Sequence, residues 1–340
     1  MTQASLIESL RAGDRRTLAR VLSLIERGAS EATDVLAALF PHTGFAQIIG
    51  ITGAPGTGKS SLVNQLAAEY RRRDQTVGII AVDPTSPFSG GAILGDRIRM
   101  SDLSGDRGVF IRSMATRGSL GGLARATRDA ARAMDAAGFN VVLIETVGAG
   151  QSEVDIVRTA ETTLVVEAPG LGDDVQAIKA GILEIADVLV INKADRPGAE
   201  NTLRTLRAML DLGHPAARSD LIKHHGQLIV SENNVHPPES AWIPPLIETV
   251  STADAPGGVR GVDDLIDAIE RHTHYLAESG EQVALESQRV EIELYERLQH
   301  ALMVRLRRDV PDATFADAIE QIRNRELDPA AAVARILDSG

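Results

Sequence analysis

No cysteine occurs among the 340 residues. Disulfides, thiolate-held metals and a cysteine nucleophile are thereby excluded, and a reducing compartment is the expected setting. Aromatic residues are scarce at 3%, so the core must rest on Val, Ile, Leu and Ala. A stacking platform for single-stranded nucleic acid is not expected. Positive charge is also short, with 35 Lys+Arg against 47 Asp+Glu and a net charge of −12. That balance disfavours binding along a nucleic-acid backbone, although one nucleotide needs only a local site. No apolar run approaches the ~20 residues that span a bilayer. The start, MTQASLIESLRAGDRRTLARV, has no long apolar signal core and carries Glu8 and Asp14, acids that a transit peptide avoids. The expectation is a cytoplasmic protein with neither a membrane nor a nucleic acid as partner.

What the chain does have is a change of rhythm. Residues 3–40 carry helical spacing, with Leu6, Ile7 and Leu10 on one face. Asp14 is the expected cap of a second helix bearing Leu18, Val21, Leu22 and Ile25, and Gly28 is its stop. From Ala46 onward short β-branched runs alternate with helical stretches: AQIIGIT, TVGIIAVD, GVFIRSM, NVVLIET, TTLVVEA, DVLVINK and PLIETVS. Runs this continuously apolar belong to strands buried on both faces of a parallel sheet. The expected fold is α/β, a doubly wound and mostly parallel sheet with N-terminal helices and a C-terminal helical arm. In the arm Val290, Leu294, Leu298, Leu302 and Leu306 recur every four residues, and Asp328-Pro329 opens a last short helix.

The stretch GITGAPGTGKSS holds the pattern G-x-x-x-x-G-K-[ST] from Gly53 to Ser60. An apolar strand precedes it and a helical stretch with Leu62, Val63 and Leu66 follows, which is the context a phosphate loop requires. Ala54, Pro55, Gly56, Thr57 and Gly58 fill the loop, whose backbone N–H groups can curl around an anion. Lys59 is placed for the β- and γ-phosphates, Ser60 offers an oxygen to magnesium, and Ser61 continues the helix start.

Farther on, Asn192-Lys193-Ala194-Asp195 ends the run DVLVINK, and ligands of open α/β sheets gather at the carboxyl ends of strands. A carboxylate accepts hydrogen bonds and cannot donate them. Guanine offers an N–H and an amino group on one edge, a pair that Asp195 can accept together, and adenine does not. Lys193 is expected to cover the base with its stem, and Asn192 to brace the loop. Ser251, Thr252 and Ala253, after the last strand, can supply a backbone contact to the guanine carbonyl.

Three acids suit a hard cation that takes oxygen ligands: Asp83 at the end of AVD, Asp96 in GGAILGDRIRM, and Glu145 at the end of VVLIE. The glycine-rich PTSPFSGGAILG between the first two has the character of a segment that responds to a γ-phosphate. After Glu145 comes TVGAGQ. Gly148 is placed to sense the γ-phosphate through its N–H. Ala149 cannot orient a water, whereas Gln151 can if the glycine turn rearranges.

Together these stretches resemble the MeaB/ArgK/MMAA type of P-loop GTPases, which act as chaperones of adenosylcobalamin-dependent acyl-CoA mutases. The resemblance is carried by GITGAPGTGKSS, AVDPTSPFSGGAILGDRIRM, FIRSMATRGSLGGLARATRDA, ETVGAGQSEVDI, DDVQAIKAGILEIADVLVINKAD and GVDDLIDAIERH. It implies GTP and GDP as ligands with Mg²⁺, a homodimer made through the helical arm, and a mutase that is gated in its cofactor loading and protected or reactivated. It further implies slow hydrolysis alone, stimulated by the mutase. A mobile loop of the family falls at about 169–179, which makes Lys179 a candidate for a residue brought to the nucleotide in the complex. On this reading residues 1–45 form an N-terminal helical segment, 46–275 the P-loop GTPase domain with an irregular excursion at 213–245, and 276–340 the C-terminal dimerisation arm.

That excursion holds His214, His224, His225 and His236, half of the eight histidines. A surface loop is the plain reading, and Trp242 near its end serves as an interface contact or as an anchor. A GTP-dependent metallochaperone is the alternative the histidines raise. A small-molecule kinase is a further one, although the chain shows no acceptor signature and the kinase leaves Asn192-Lys193-Ala194-Asp195 unexplained.

Overall fold

The computed structural model describes residues 3–83, 103, 105–115, 122–146, 156–170, 185–212 and 242–338. It contains two compact units, residues 1–282 and 283–340.

The first unit is built on a sheet of β1 (Gln47–Thr52), β2 (Val77–Asp83), β3 (Val109–Ala115), β4 (Val141–Thr146), β5 (Thr162–Glu167), β6 (Val188–Asn192) and β7 (Leu246–Thr249). These are the seven apolar runs, each now a strand. Their order is β3-β2-β4-β1-β5-β6-β7, and every neighbouring pair is parallel. The crossovers include α4 (Lys59–Arg72), α5 (Gly122–Ala136) and α6 (Ala199–Leu212), with α7 (Val262–Ser279) after β7. Before the sheet come α1 (Gln3–Arg11), α2 (Arg15–Arg27) and α3 (Ser30–Leu39).

Alternation along each strand divides the core in two. Ile80, Val82, Val142, Ile144, Val165 and Leu189 face Leu10, Leu18, Val21 and Leu22 of the N-terminal helices and Ala130 and Met134 of α5. Ile49, Ile51, Ile79, Leu143, Leu164 and Val190 face Leu62, Val63 and Leu66 of α4 and Leu265, Ile266 and Ile269 of α7. Helices on both faces force the strands to be apolar on both, which is why β4 and β5 are buried along their whole length.

Local signals act where the sequence placed them. Asp14 accepts from the N–H groups of Arg16 and Thr17 at 3.2 and 3.3 Å, and Gly28 ends α2 in the left-handed region. The N-terminal helices are fastened to the edge strand β3. Arg112 pairs with Glu26, and the Arg15 guanidinium lies 5.2 Å from the centroid of the Phe110 ring. Trp242 acts as an anchor: its Nε1 donates to Asp187 O at 2.8 Å, and its ring packs on His272 and Tyr275.

The second unit continues α8 (Glu281–Asp309) with α9 (Asp312–Arg323) and α10 (Pro329–Asp338). Asp328 caps the last helix, accepting from Ala330 N at 2.8 Å. The stripe on α8 is exposed, with Val290 at 54%, Leu294 at 64%, Leu298 at 49% and Leu302 at 55%. Among the described residues no helix is long and apolar enough to cross a membrane.

Candidate nucleotide site

All seven strands are parallel, so their carboxyl ends share one edge of the sheet, and the motif residues collect there. The phosphate loop starts where β1 ends. Gly53 has φ +136°, and a Cβ at that position would lie 2.1 Å from Val166 O of β5. Only glycine permits both that backbone and that approach. Gly58, at φ +91°, precedes the first residue of α4, and a Cβ there would lie 2.5 Å from Asn192 Nδ2. Between them Thr57 Oγ1 donates to Ala54 O at 3.0 Å. The ammonium of Lys59, 5% exposed, donates to Gly53 O at 2.7 Å and Ala54 O at 3.0 Å. The 14-residue α4 thus presents its amino end, the positive end of its dipole, beside a buried ammonium.

The base motif is tied to this loop. Asn192 Nδ2 donates to Thr57 O at 2.9 Å and stands 3.4 Å from Gly58 O. Lys193 Nζ donates to Gly56 O at 2.6 Å. Lys193 itself has φ +59°, an uncommon conformation for a residue with a Cβ. Burial, with Arg196 beside it, holds its ammonium below the ordinary lysine value against the pull of Asp195. Asp195 is half-buried two residues farther on, and Ala194 N donates to Thr249 O at 3.1 Å. After β7, Ser251 is buried while Thr252 and Ala253 are exposed. Val250 pairs with Arg260 across an antiparallel bridge that closes this loop.

Thr249 escaped the sequence reading. Its hydroxyl donates to Asn192 Oδ1 at 3.2 Å, which fixes which way the carboxamide points. Its signal was a polar residue closing a strand, and it acquires meaning only through the register that sets Asn192 beside Thr249.

At the position expected for a metal, Ser60 Oγ donates to Glu145 Oε1 at 2.6 Å, with Ser60 9% and Glu145 3% exposed. A hydroxyl and a carboxylate at the start of α4 are hard oxygen donors of the kind Mg²⁺ takes, so the residues present fit that ion. Asp83 closes β2 one position beyond Val82, the register partner of Thr146. Its side chain, and all of Asp96, Gly148, Gln151 and Lys179, lie outside the described residues, as do residues 213–241 of the excursion. No group of three or more acids or histidines that could hold a metal occurs among the described residues.

An anion-binding loop, a hydroxyl–carboxylate pair and a half-buried carboxylate thus stand along one sheet edge, groups whose chemistry suits a nucleotide. Residues 18–310 match the family model described as methylmalonyl Co-A mutase-associated GTPase MeaB. A Pyrococcus horikoshii protein that carries a GTPase name is 47% identical over 333 residues, which is 98% of this chain and 96% of its own length. GTPase ArgK of Escherichia coli is 42% identical over 198 residues, covering 57% of this chain and 60% of its own. Among solved structures, the crystal structure of an LAO/AO transport system kinase is similar with a TM-score of 0.67 at 25% identity, covering 99% and 97% of the two chains.

Proposed function

The chain belongs to the family of methylmalonyl-CoA mutase-associated GTPases described as MeaB, and from that membership we propose that it is a guanine-nucleotide switch serving an adenosylcobalamin-dependent acyl-CoA mutase. In this role it gates cofactor loading and protects or reactivates the mutase. The observation that carries the nucleotide half of the reading is the direct bonding of the Asn192-Lys193 end to the phosphate loop. One rigid body then grips both ends of a guanine nucleotide.

In this reading the loop N–H groups and Lys59 bind the β- and γ-phosphates, and Asp195 accepts both donors on the guanine edge. Asn192 and Lys193 hold the loop, and residues 251–253 meet the guanine carbonyl. Ser60 and Glu145 hold Mg²⁺, joined by Asp83 and Asp96. When bound, the ion neutralises charge on the phosphate oxygens. No glutamine directly follows Gly148, so the chain by itself orients the attacking water poorly. Gln151, Lys179 or a residue of the mutase completes the site, and hydrolysis is slow until the partner arrives.

The arm contributes a homodimer contact. The exposed apolar stripe of α8 supports this, since a free helix face of this kind is normally covered.

Equilibrium binding of GTP, GDP and ATP, followed by pull-down of an acyl-CoA mutase in each nucleotide state, tests the reading. Tight guanine binding with weak adenine binding, and capture that differs between GTP and GDP, is the expected result. A switch requires that difference, because a ligand shifts a partner equilibrium only through differential affinity. The kinase named in the structural relative is addressed with γ-labelled nucleotide. Label transferred to a metabolite rather than released as phosphate would favour it.

A further inference from the structure

Thr52 and Thr146 close the neighbouring strands β1 and β4, and the nucleotide chemistry above assigns them nothing. They are 0% and 2% exposed. The Thr146 hydroxyl lies 3.0 Å from Thr52 Oγ1 and 3.4 Å from Ile51 O. At a buried strand position valine fits the pleat as well and carries no polar atom to desolvate. Two adjoining buried hydroxyls are tolerable because they bond to one another.

Their place gives the pair a use. Thr146 directly follows Glu145, and Thr52 directly precedes Gly53, the first residue of the phosphate loop. The threonines point to the face of α5 and the N-terminal helices, as does Ile144 two residues earlier. Glu145 points to the opposite face, where it meets Ser60 at 2.6 Å. On its other flank the loop start is pressed against β5, where Gly53 meets Val166 O. The root of the phosphate loop is thus held from both neighbouring strands, and on the β4 side a side-chain bond adds to the ladder.

We infer that Thr52 and Thr146 form a hydroxyl clip that sets the separation of Ser60 and Glu145 for the magnesium–nucleotide complex. Both are positioning residues, since neither faces Ser60. Glu145 moves with the end of β4, and Ser60 moves with the loop and α4. The clip ties those two bodies at the point where they diverge. The inference rests on the magnesium reading of Ser60 and Glu145.

The test measures GDP and GTP affinity of the full chain with magnesium and with EDTA, in wild type, Thr146→Val, Thr146→Ser and Thr52→Val. Thermal melts confirm that each variant folds. Magnesium is expected to tighten binding in wild type. That tightening shrinks about five-fold in Thr146→Val and in Thr52→Val, the factor matching one net hydrogen bond of about 1 kcal/mol. Affinities in EDTA stay together, and Thr146→Ser restores the magnesium effect. A full magnesium effect in both valine variants overturns the clip, and so does an equal loss with and without the ion. Should Thr146→Val fail to fold, Thr52→Val decides the matter, because it keeps the Thr146–Ile51 bond. A wild type indifferent to magnesium overturns the magnesium reading and the clip together, so the wild-type curve tells the two failures apart.

Discussion

On the proposed reading, base choice turns on Asp195. Its carboxylate can accept two hydrogen bonds from guanine, and nothing about a carboxylate can serve a carbonyl in the same place. Asp195→Asn exchanges one acceptor for a donor. Hydrogen bonds to a charged group are worth about 1.5–3 kcal/mol, so GTP affinity is expected to fall about ten- to a hundred-fold. Xanthosine triphosphate, which carries a carbonyl where guanine has its amino group, should bind the variant better than the wild type. Competition titration with the two nucleotides checks both statements. Asn192 is held at both ends, by Thr249 on its oxygen and by the loop carbonyls on its nitrogen. Thr249→Val removes the donor that orients the carboxamide. The expected cost is a few-fold loss of affinity for GTP and GDP alike, read in the same titration.

At the scale of elements, the joint between α4 and β3 shows how a loop end is fixed by charge. Arg71 of α4 donates to Asp106 at 2.9 Å and to Gln75 O at 2.8 Å, while Asp106 also accepts from Gly108 N at 2.7 Å. The Arg71 hydrogen bond, aided by the Gly108 N–H, holds the Asp106 carboxyl below its ordinary value. A carboxylate with a depressed folded value stabilises the fold above its unfolded value and loses that contribution as pH falls through the folded one. Asp106→Asn should therefore be less stable at pH 7 by about 0.5–1 kcal/mol, as for a partly exposed pair. The difference should close as pH drops below about 4. Denaturation curves at several pH values give the answer.

Elements of this kind were readable in advance wherever one residue type carries the signal alone. The apolar runs became strands because both faces are covered, and Asp14, Gly28 and Asp328 cap helices because short-range geometry needs nothing else. Thr249, Thr52 and Thr146 were not readable. A threonine inside a β-branched run looks like any strand residue, and its partner is known only when separate strands are set in register. Asp135 belongs with them: its carboxylate accepts from the N–H groups of Gly44, Phe45 and Ala46, far away in sequence. The phosphate loop and Asn192-Lys193-Ala194-Asp195 were legible because their spacing is local. For Asn192 the joining of the two was foreseen as bracing, without its partners, whereas Lys193 was expected to cover the base and its bond to Gly56 O was not foreseen.

For the whole molecule, the question is how a nucleotide site is coupled to other chains. The stripe on α8 offers four-residue spacing and exposed apolar side chains. Leu298→Asp puts a charge in that stripe. If the stripe covers a second copy, the variant should run as a monomer in gel filtration while the wild type runs as a dimer, and GTP affinity should be unaffected. The coupling that defines the proposed function is to the mutase, and it is measured most directly as the single-turnover rate of GTP hydrolysis with and without an adenosylcobalamin-dependent acyl-CoA mutase. Slow hydrolysis alone, a clear rise on adding the mutase, and no comparable rise with ATP are expected. A rate that the mutase leaves unchanged, or one already fast without it, would rule out a mutase-triggered switch.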